Sequence, residues 1–258
     1  MSTEPASPPF QLPPAFADAD LTWEDELTIQ CKGVKLQLTR GFDLKDSTDD
    51  VVVLFKSPKF VRGYVENLEG VKVDNIVEVG IWDGGSAIFF WNLLQPRKLT
   101  CIELKESADA LTRYIEREQL DDRFRVHFEV DQGDKAQVSA LLDADFGDEA
   151  LDVVIDDASH LYGPSRATFE AIFPRLRQGG LYFLEDWKAS LLPSSFGIGE
   201  GTEEPPFHQL VHELLELSML APGVMPSVKC FHNFVVLERG PDAIPKEGFD
   251  ICRWGKDA

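Results

Sequence analysis

Between residues 75 and 185 the chain repeats one pattern: a short apolar run, a turn, then a stretch with helical periodicity. The apolar runs are Ile76–Val79, Leu99–Leu104, Phe124–Val130, Leu151–Ile155 and Leu181–Leu184. Helical periods fall at about 85–94, 107–120, 135–145 and 164–177. Strands this short and continuously apolar are covered on both faces, and alternation with helices joins them in parallel. The pattern predicts an α/β fold with a mostly parallel sheet.

The flanks read differently. Five prolines within residues 1–20 predict a flexible arm. Residues 21–70 are read as an extension of hairpin and helix. Apolar and polar residues alternate from Leu27 to Leu38 on both sides of Lys32-Gly33, and Ser57-Pro58 opens a helix that buries Phe60, Val61, Tyr64, Val65 and Leu68. Residues 71–258 are assigned to one larger domain. It ends, after a helix near Phe207–Leu220, in a long strand Val228–Glu238 with Phe249–Trp254 as its expected partner. The intervening loop Ala189–Pro206 is long for an unstructured connection and is expected to form a lid or acceptor wall.

A length of 258 residues with 43% hydrophobic content is enough for one such α/β core. The net charge of −20, with no basic patch, argues against nucleic acid as a partner. No apolar run approaches the ~20 residues that span a bilayer, and Met1-Ser-Thr-Glu-Pro5 lacks a basic region before an apolar core. The expectation is a cytoplasmic protein away from membranes. Cys31, Cys101, Cys230 and Cys252 are scattered, which suggests reduced, mostly buried thiols rather than a zinc site or disulfides.

The first strand runs into Gly80-Ile-Trp-Asp-Gly84-Gly85-Ser86, where glycines allow close backbone approach and a helix N-terminus offers N–H groups. The spacing G-x-x-x-G-G departs from the G-x-G-x-x-G of nicotinamide enzymes. It suits S-adenosylmethionine, whose carboxylate meets the N–H groups while Glu78 faces its ammonium. Glu103, at the end of the second strand, is placed to accept from the ribose hydroxyls. Asp131 and Gln132, after the third strand, have two readings: contacts to the adenine edge, or a cap on the following helix.

At the other end of the sheet the fourth strand finishes in Asp156-Asp157-Ala-Ser-His160 and the fifth in Glu185-Asp186. Ligands of open α/β sheets lie at the carboxyl ends of strands, so four carboxylates are expected in one crevice. Clustered like charges call for a cation, and oxygen ligands suit Mg²⁺. Asp156, Asp157, Glu185 and Asp186 are thus all candidates to meet that ion, with Asp156 also placed with the cofactor. His160, three residues beyond Asp157, has an imidazole suited to taking a proton from a hydroxyl.

Together, Glu78-Val-Gly80, Gly84-Gly85-Ser86, Asp156-Asp157-Ala-Ser-His160, Phe173 to Asp186 and Phe231 to Glu238 resemble the mycinamicin-type macrolide sugar O-methyltransferases over roughly residues 70–240. The resemblance implies a Rossmann-like class I methyltransferase fold, with a late antiparallel strand closing the sheet. It also implies a magnesium ion at Asp157 and Asp186, with Glu185 adjacent, and a catalytic role for His160. Catechol-type O-methyltransferases have a similar acid arrangement, with lysine at the histidine's spacing.

Both readings lead to one expectation: transfer of a methyl group to a hydroxyl of a small natural-product acceptor, with Asp157 and His160 at the reacting oxygen. Hydroxylase-like chemistry, an N-acceptor, or a cofactor-binding protein without catalysis are the alternatives. A homo-oligomer is left open.

Overall fold

The computed structural model describes residues 11–39, 46–192 and 204–254, which divide into two compact units. The first contains the described residues of 1–73 with Ile81–Arg97 and Ser107–Phe124. The second contains Asp74–Gly80, Lys98–Glu106 and the described residues from Arg125 onward.

In the first unit β1 (Thr22–Trp23), β2 (Thr28–Cys31), β3 (Val34–Leu38) and β4 (Val51–Leu54) form a sheet in that order, with two antiparallel pairs and then a parallel one. The expected hairpin is β2–β3. Lys32 and Gly33 have φ of 43° and 79°, the two positive values a two-residue type I′ turn requires. The strands β1 and β4 were not anticipated: β1 is only two residues long, and Val51–Leu54 lacks the alternation that marks a half-buried strand.

Helix α1 (Pro58–Leu68) starts where expected. The Ser57 hydroxyl accepts from Phe60 N–H at 3.3 Å, and the five predicted side chains are buried. Helices α2 (Gly85–Leu94) and α3 (Asp109–Arg117) complete the unit. Every residue of α2 from Gly85 to Leu93 is buried, as expected of a helix apolar on all sides. Its one amide, Asn92, is satisfied by donating to Ile88 O at 2.7 Å and to Tyr114 Oη at 2.9 Å. Within the proline-rich arm, Pro14–Phe16 form a 3₁₀ turn with Phe16 buried; residues 1–10 lie outside the described residues.

The second unit holds a seven-stranded sheet: β5 (Asn75–Val79), β6 (Lys98–Ile102), β7 (Phe124–His127), β8 (Leu151–Asp156), β9 (Leu176–Glu185), β10 (Ser227–Cys230) and β11 (Phe234–Glu238). The order is β10-β11-β9-β8-β5-β6-β7. β5 pairs in parallel with β6 and β8, and β8 with β9, whereas β11 runs antiparallel to β9 and β10. Helices α4 (Lys135–Phe146), α5 (Tyr162–Ile172), α6 (His208–Leu220) and the short α7 (Ile251–Trp254) belong to it. Val154, Tyr182 and Leu184 from the strands pack with Leu142, Phe169 and Leu214 from the helices. One expectation is corrected. Val228–Glu238 is two strands folded about residues 231–233, so the partner of β11 is β10, and the stretch expected to pair with it contains α7 instead.

Two cysteines, Cys31 and Cys101, are buried, but Cys230 and Cys252 are exposed, contrary to the mostly buried expectation. Among the described residues no helix is long and apolar enough to cross a membrane.

A buried acid on α4 fastens the β6–β7 edge. Asp145 accepts from Thr100 Oγ1 at 2.8 Å, Arg125 Nη1 at 2.7 Å and His127 Nε2 at 2.8 Å. Burial pushes its carboxyl up, but the bonds from His127, Arg125 and Thr100 outweigh burial and hold it below the ordinary 3.8. A depressed carboxyl contributes stability above the unfolded pKa and loses it as pH falls through the folded one. Asp145→Ala should therefore cost about 2–3 kcal/mol at pH 7, and the gap to the parent should close on acidification below pH 4. Urea titrations across pH measure both; a gap independent of pH would assign the loss to packing.

Candidate functional site

Strands β8 and β9 are neighbours in the sheet, and their carboxyl ends bring together residues distant in sequence. Asp157, His160 and Asp186, all partly buried, each offer a ligand atom, and these atoms lie within 4.8 Å of one another. His160 Nε2 is 3.7 Å from Asp157 Oδ1. The loops that carry them are tied to the sheet: Asp157 N–H donates to Val79 O at 2.8 Å, and Asp186 N–H to Asn233 O at 2.7 Å. His160 and Asp186 both adopt left-handed backbone, with φ of 53° and 47°. Such conformations are costly for residues other than glycine and concentrate at functional sites.

Two carboxylates and an imidazole so close form a donor set suited to a divalent cation, since otherwise like charges face each other. No histidine was expected among the ligands. The group contains His160 in place of Glu185, so the expected crevice of four carboxylates reduces to two.

The physical reason is where the strands stop: Asp156 and Glu185 are the last residues of β8 and β9 and are buried in the sheet, whereas Asp157 and Asp186 are the first residues beyond it. Asp156 pairs with Leu184 and shares its face with Tyr182, which points into the core beneath α5. It is 2% exposed, accepting from Tyr182 Oη at 2.9 Å and Gln132 Nε2 at 3.3 Å. Burial pushes its carboxyl up to about 7; the bonds from Tyr182 and Gln132 oppose this and the neighbouring Asp157 adds to it. Glu185 takes the opposite face with Phe183, opposite Phe234 in β11, and is 1% exposed. Neither acid joins the Asp157 group.

In the same unit Glu78 is fully buried in β5, and Glu103 follows β6 with 7% exposure, its Oε1 accepting from Lys105 N–H at 2.9 Å. Gly80 has φ of 81°, and a Cβ there would lie 2.4 Å from the Asp157 carbonyl oxygen, so only glycine admits the close passage of these two loops. Asp131 is exposed and closes a turn on Gly133 N–H at 2.8 Å, while the cap of α4 is Asp134, accepting from Gln137 N–H at 2.9 Å. Gln132 is buried and bonded to the protein interior.

In the first unit Gly84 is the left-handed N-cap of α2, with φ of 88°, and a Cβ on it would strike Leu111 Cβ at 2.5 Å. Gly85 lies against the Val53 carbonyl, and Ser86 is buried in the first turn of α2. These two glycines are therefore required by packing within their own unit, a role separate from the ligand approach read from the sequence.

Several residues at this end escaped the sequence reading. Thr168 and Tyr182 have no motif, because each acts through a contact made only in the fold. Trp187 Nε1 donates to Phe231 O at 2.9 Å and Lys188 Nζ to Asn233 Oδ1 at 3.0 Å, so the β10–β11 turn is clasped to the residues after Asp186.

Residues 77–187 match the family model described as a methyltransferase domain. The 8-demethyl-8-alpha-L-rhamnosyl tetracenomycin-C 2'-O-methyltransferase of Streptomyces olivaceus is 45% identical over 28% of this chain and 19% of its own length. The demethylmacrocin O-methyltransferase of Streptomyces fradiae is 32% identical over 35% of this chain and 26% of its own. Among solved structures, the MycE methyltransferase of the mycinamycin biosynthetic pathway, in complex with Mg, SAH and mycinamycin VI, shares the fold. Its TM-score is 0.58 at 21% identity, covering 74% of this chain and 53% of that one. The matches thus span about a quarter or less of the curated relatives and about half of the solved one. A mostly parallel seven-stranded sheet with an antiparallel strand near one edge, ending in this acid and histidine group, is the setting of that match, and the fold is of the Rossmann-like α/β kind.

Proposed function

We propose that the chain is an S-adenosylmethionine-dependent O-methyltransferase, assisted by Mg²⁺, that acts on a hydroxyl of a small, sugar-containing natural product. The observation that carries this reading is the convergence of Asp157, His160 and Asp186 within 4.8 Å at the carboxyl ends of adjacent strands, in a chain whose residues 77–187 match a methyltransferase domain. The activities of two relatives, 2'-O- and 3'-O-methylation of rhamnosyl tetracenomycin-C, supply the acceptor class.

Asp157 and Asp186 would hold the cation, with His160 beside them as the base. Bound together, the two groups supply a Lewis acid for the acceptor oxygen and an activated methyl for it to attack. Of the chain's own residues, His160 would receive the hydroxyl proton, and the carboxylates of Asp157 and Asp186 would hold the cation that supplies the Lewis acid. Glu78 faces the cofactor ammonium, where a positive charge offsets the cost of a buried carboxylate. Glu103 would accept from the ribose, Asp131 would border the adenine, and the Gly80 turn would admit the amino-acid end. The domain division at residues 20 and 70, a cytoplasmic location and a small-molecule partner, with neither nucleic acid nor membrane, are part of the same proposal.

Titration calorimetry should find micromolar affinity for S-adenosylmethionine and its demethylated product. Labelled cofactor, Mg²⁺ and a panel of glycosylated and phenolic acceptors should then yield a methyl ether located by mass spectrometry and NMR. Binding of NAD with no response to either sulfur compound would overturn the cofactor; tight cofactor binding with no transfer to any acceptor would favour a non-catalytic role.

A further inference from the structure

The Asp157–His160 loop is held by a side chain that belongs to neither the metal group nor the strand bearing it. Gln132, at the end of the segment after β7, is 6% exposed. Its Oε1 accepts from Ser159 N–H at 2.7 Å, and its Nε2 donates to Thr168 Oγ1 at 2.8 Å and to Asp156 Oδ1 at 3.3 Å. The amide orientation follows from the partners: a backbone N–H only donates, so it must meet the oxygen, and the carboxylate must meet the nitrogen. Thr168 Oγ1, fully buried on α5, lies 3.1 Å from Gln132 O and so grips the same residue twice. Asp156 is fixed from its other side by Tyr182.

This network brackets the loop. Asp156 and Ser159, the two residues of this stretch bonded to Gln132, lie on either side of Asp157, and Ser159 directly precedes His160. Asp157 N–H is bonded to Val79 O, and its carbonyl packs closely against Gly80, where any side chain would strike it. Between these points His160 has left-handed backbone, and its Nε2 lies 3.7 Å from Asp157 Oδ1.

We infer that Gln132 is a positioning residue for the metal group: it sets Asp157 and His160 through the Ser159 amide and the Asp156 carboxylate, and Thr168 sets Gln132. The inference rests on the metal reading above, and it moves Gln132 away from the adenine contact expected from sequence. Residues that orient ligands in this way typically change metal affinity about 10–100-fold when lost.

The test compares Gln132→Met, which keeps length and removes both bonding groups, with Thr168→Val, which disturbs the network from the helix. Melting temperature and circular dichroism establish which of them folds, and Thr168→Val serves alone if Gln132→Met does not. Binding of Mn²⁺ alone is measured by electron paramagnetic resonance, cofactor affinity by calorimetry, and Ser159 amide exchange by NMR. In a folded variant, Mn²⁺ affinity should fall about 10-fold or more, Ser159 exchange should accelerate by a similar factor, and cofactor affinity should stay within about twofold. Unchanged Mn²⁺ affinity with a large loss of cofactor affinity would return Gln132 to the adenine and overturn the inference. Failure of the parent protein to bind Mn²⁺ would instead remove the metal reading. The positioning role then stands or falls on the His160 ring resonances, which should shift in the variant and would refute it if unmoved.

Discussion

Exhaustive chelation should reduce methyl transfer to background, and Mg²⁺ should restore it. Asp157 and Asp186 come from the ends of two different strands, and their nearest oxygens lie within 4.8 Å of each other and of the His160 ring. Two carboxylates at that distance repel, and nothing in catalysis by a lone histidine requires them both. If they hold a cation that polarises the acceptor oxygen, several kcal/mol of transition-state stabilisation vanish with it, about 10³-fold or more in rate. Asp186→Asn should show the same loss with cofactor affinity retained, and raised Mg²⁺ should recover part of it. Full turnover after chelation would reduce both acids to hydrogen-bond acceptors for the substrate.

The second large effect is expected at His160. His160→Ala should lower turnover about 10²–10⁴-fold if the imidazole takes the acceptor proton, while cofactor affinity stays nearly unchanged. The structure adds a second quantity to follow, because Nε2 sits within the ligand group. A base that only receives a proton leaves Mn²⁺ affinity intact, whereas a ligand lowers it in step with turnover. A loss below about tenfold in rate would assign the proton to another group, such as His232 in the β10–β11 turn, or to the cation alone. A fall in melting temperature without a specific loss of turnover would mark a structural histidine, held in its left-handed backbone for packing.

The acidic site also shows which part of a site can be read from residues in order. Asp156-Asp157 and Glu185-Asp186 are visible as strand-end acids because an apolar run stops there, and a strand end is a local property. Which member of each pair enters the crevice is set by where the strand stops and by what the neighbouring elements offer the acid that stays within it. Tyr182 and Gln132 engage Asp156, and Glu185 turns to the Phe183 side, so the second acid of each pair is the one that reaches His160. Gln132 illustrates the same limit: its place after β7 suggested a ligand contact, and only the packing of α5 against that loop shows its amide committed to Thr168, Asp156 and Ser159.

Much of the frame needed no tertiary information. The short apolar strands, the helices between them, the buried face of α1 and the two-residue turn at Lys32-Gly33 follow from hydrophobic period, caps and glycine, which act over a few residues. The hairpin β10–β11, the strands β1 and β4, and the meeting of Asp157, His160 and Asp186 required the folded chain. Strand order in a sheet, the face a side chain takes and the backbone strain at a loop are decided by partners far away in sequence, and no local periodicity encodes them.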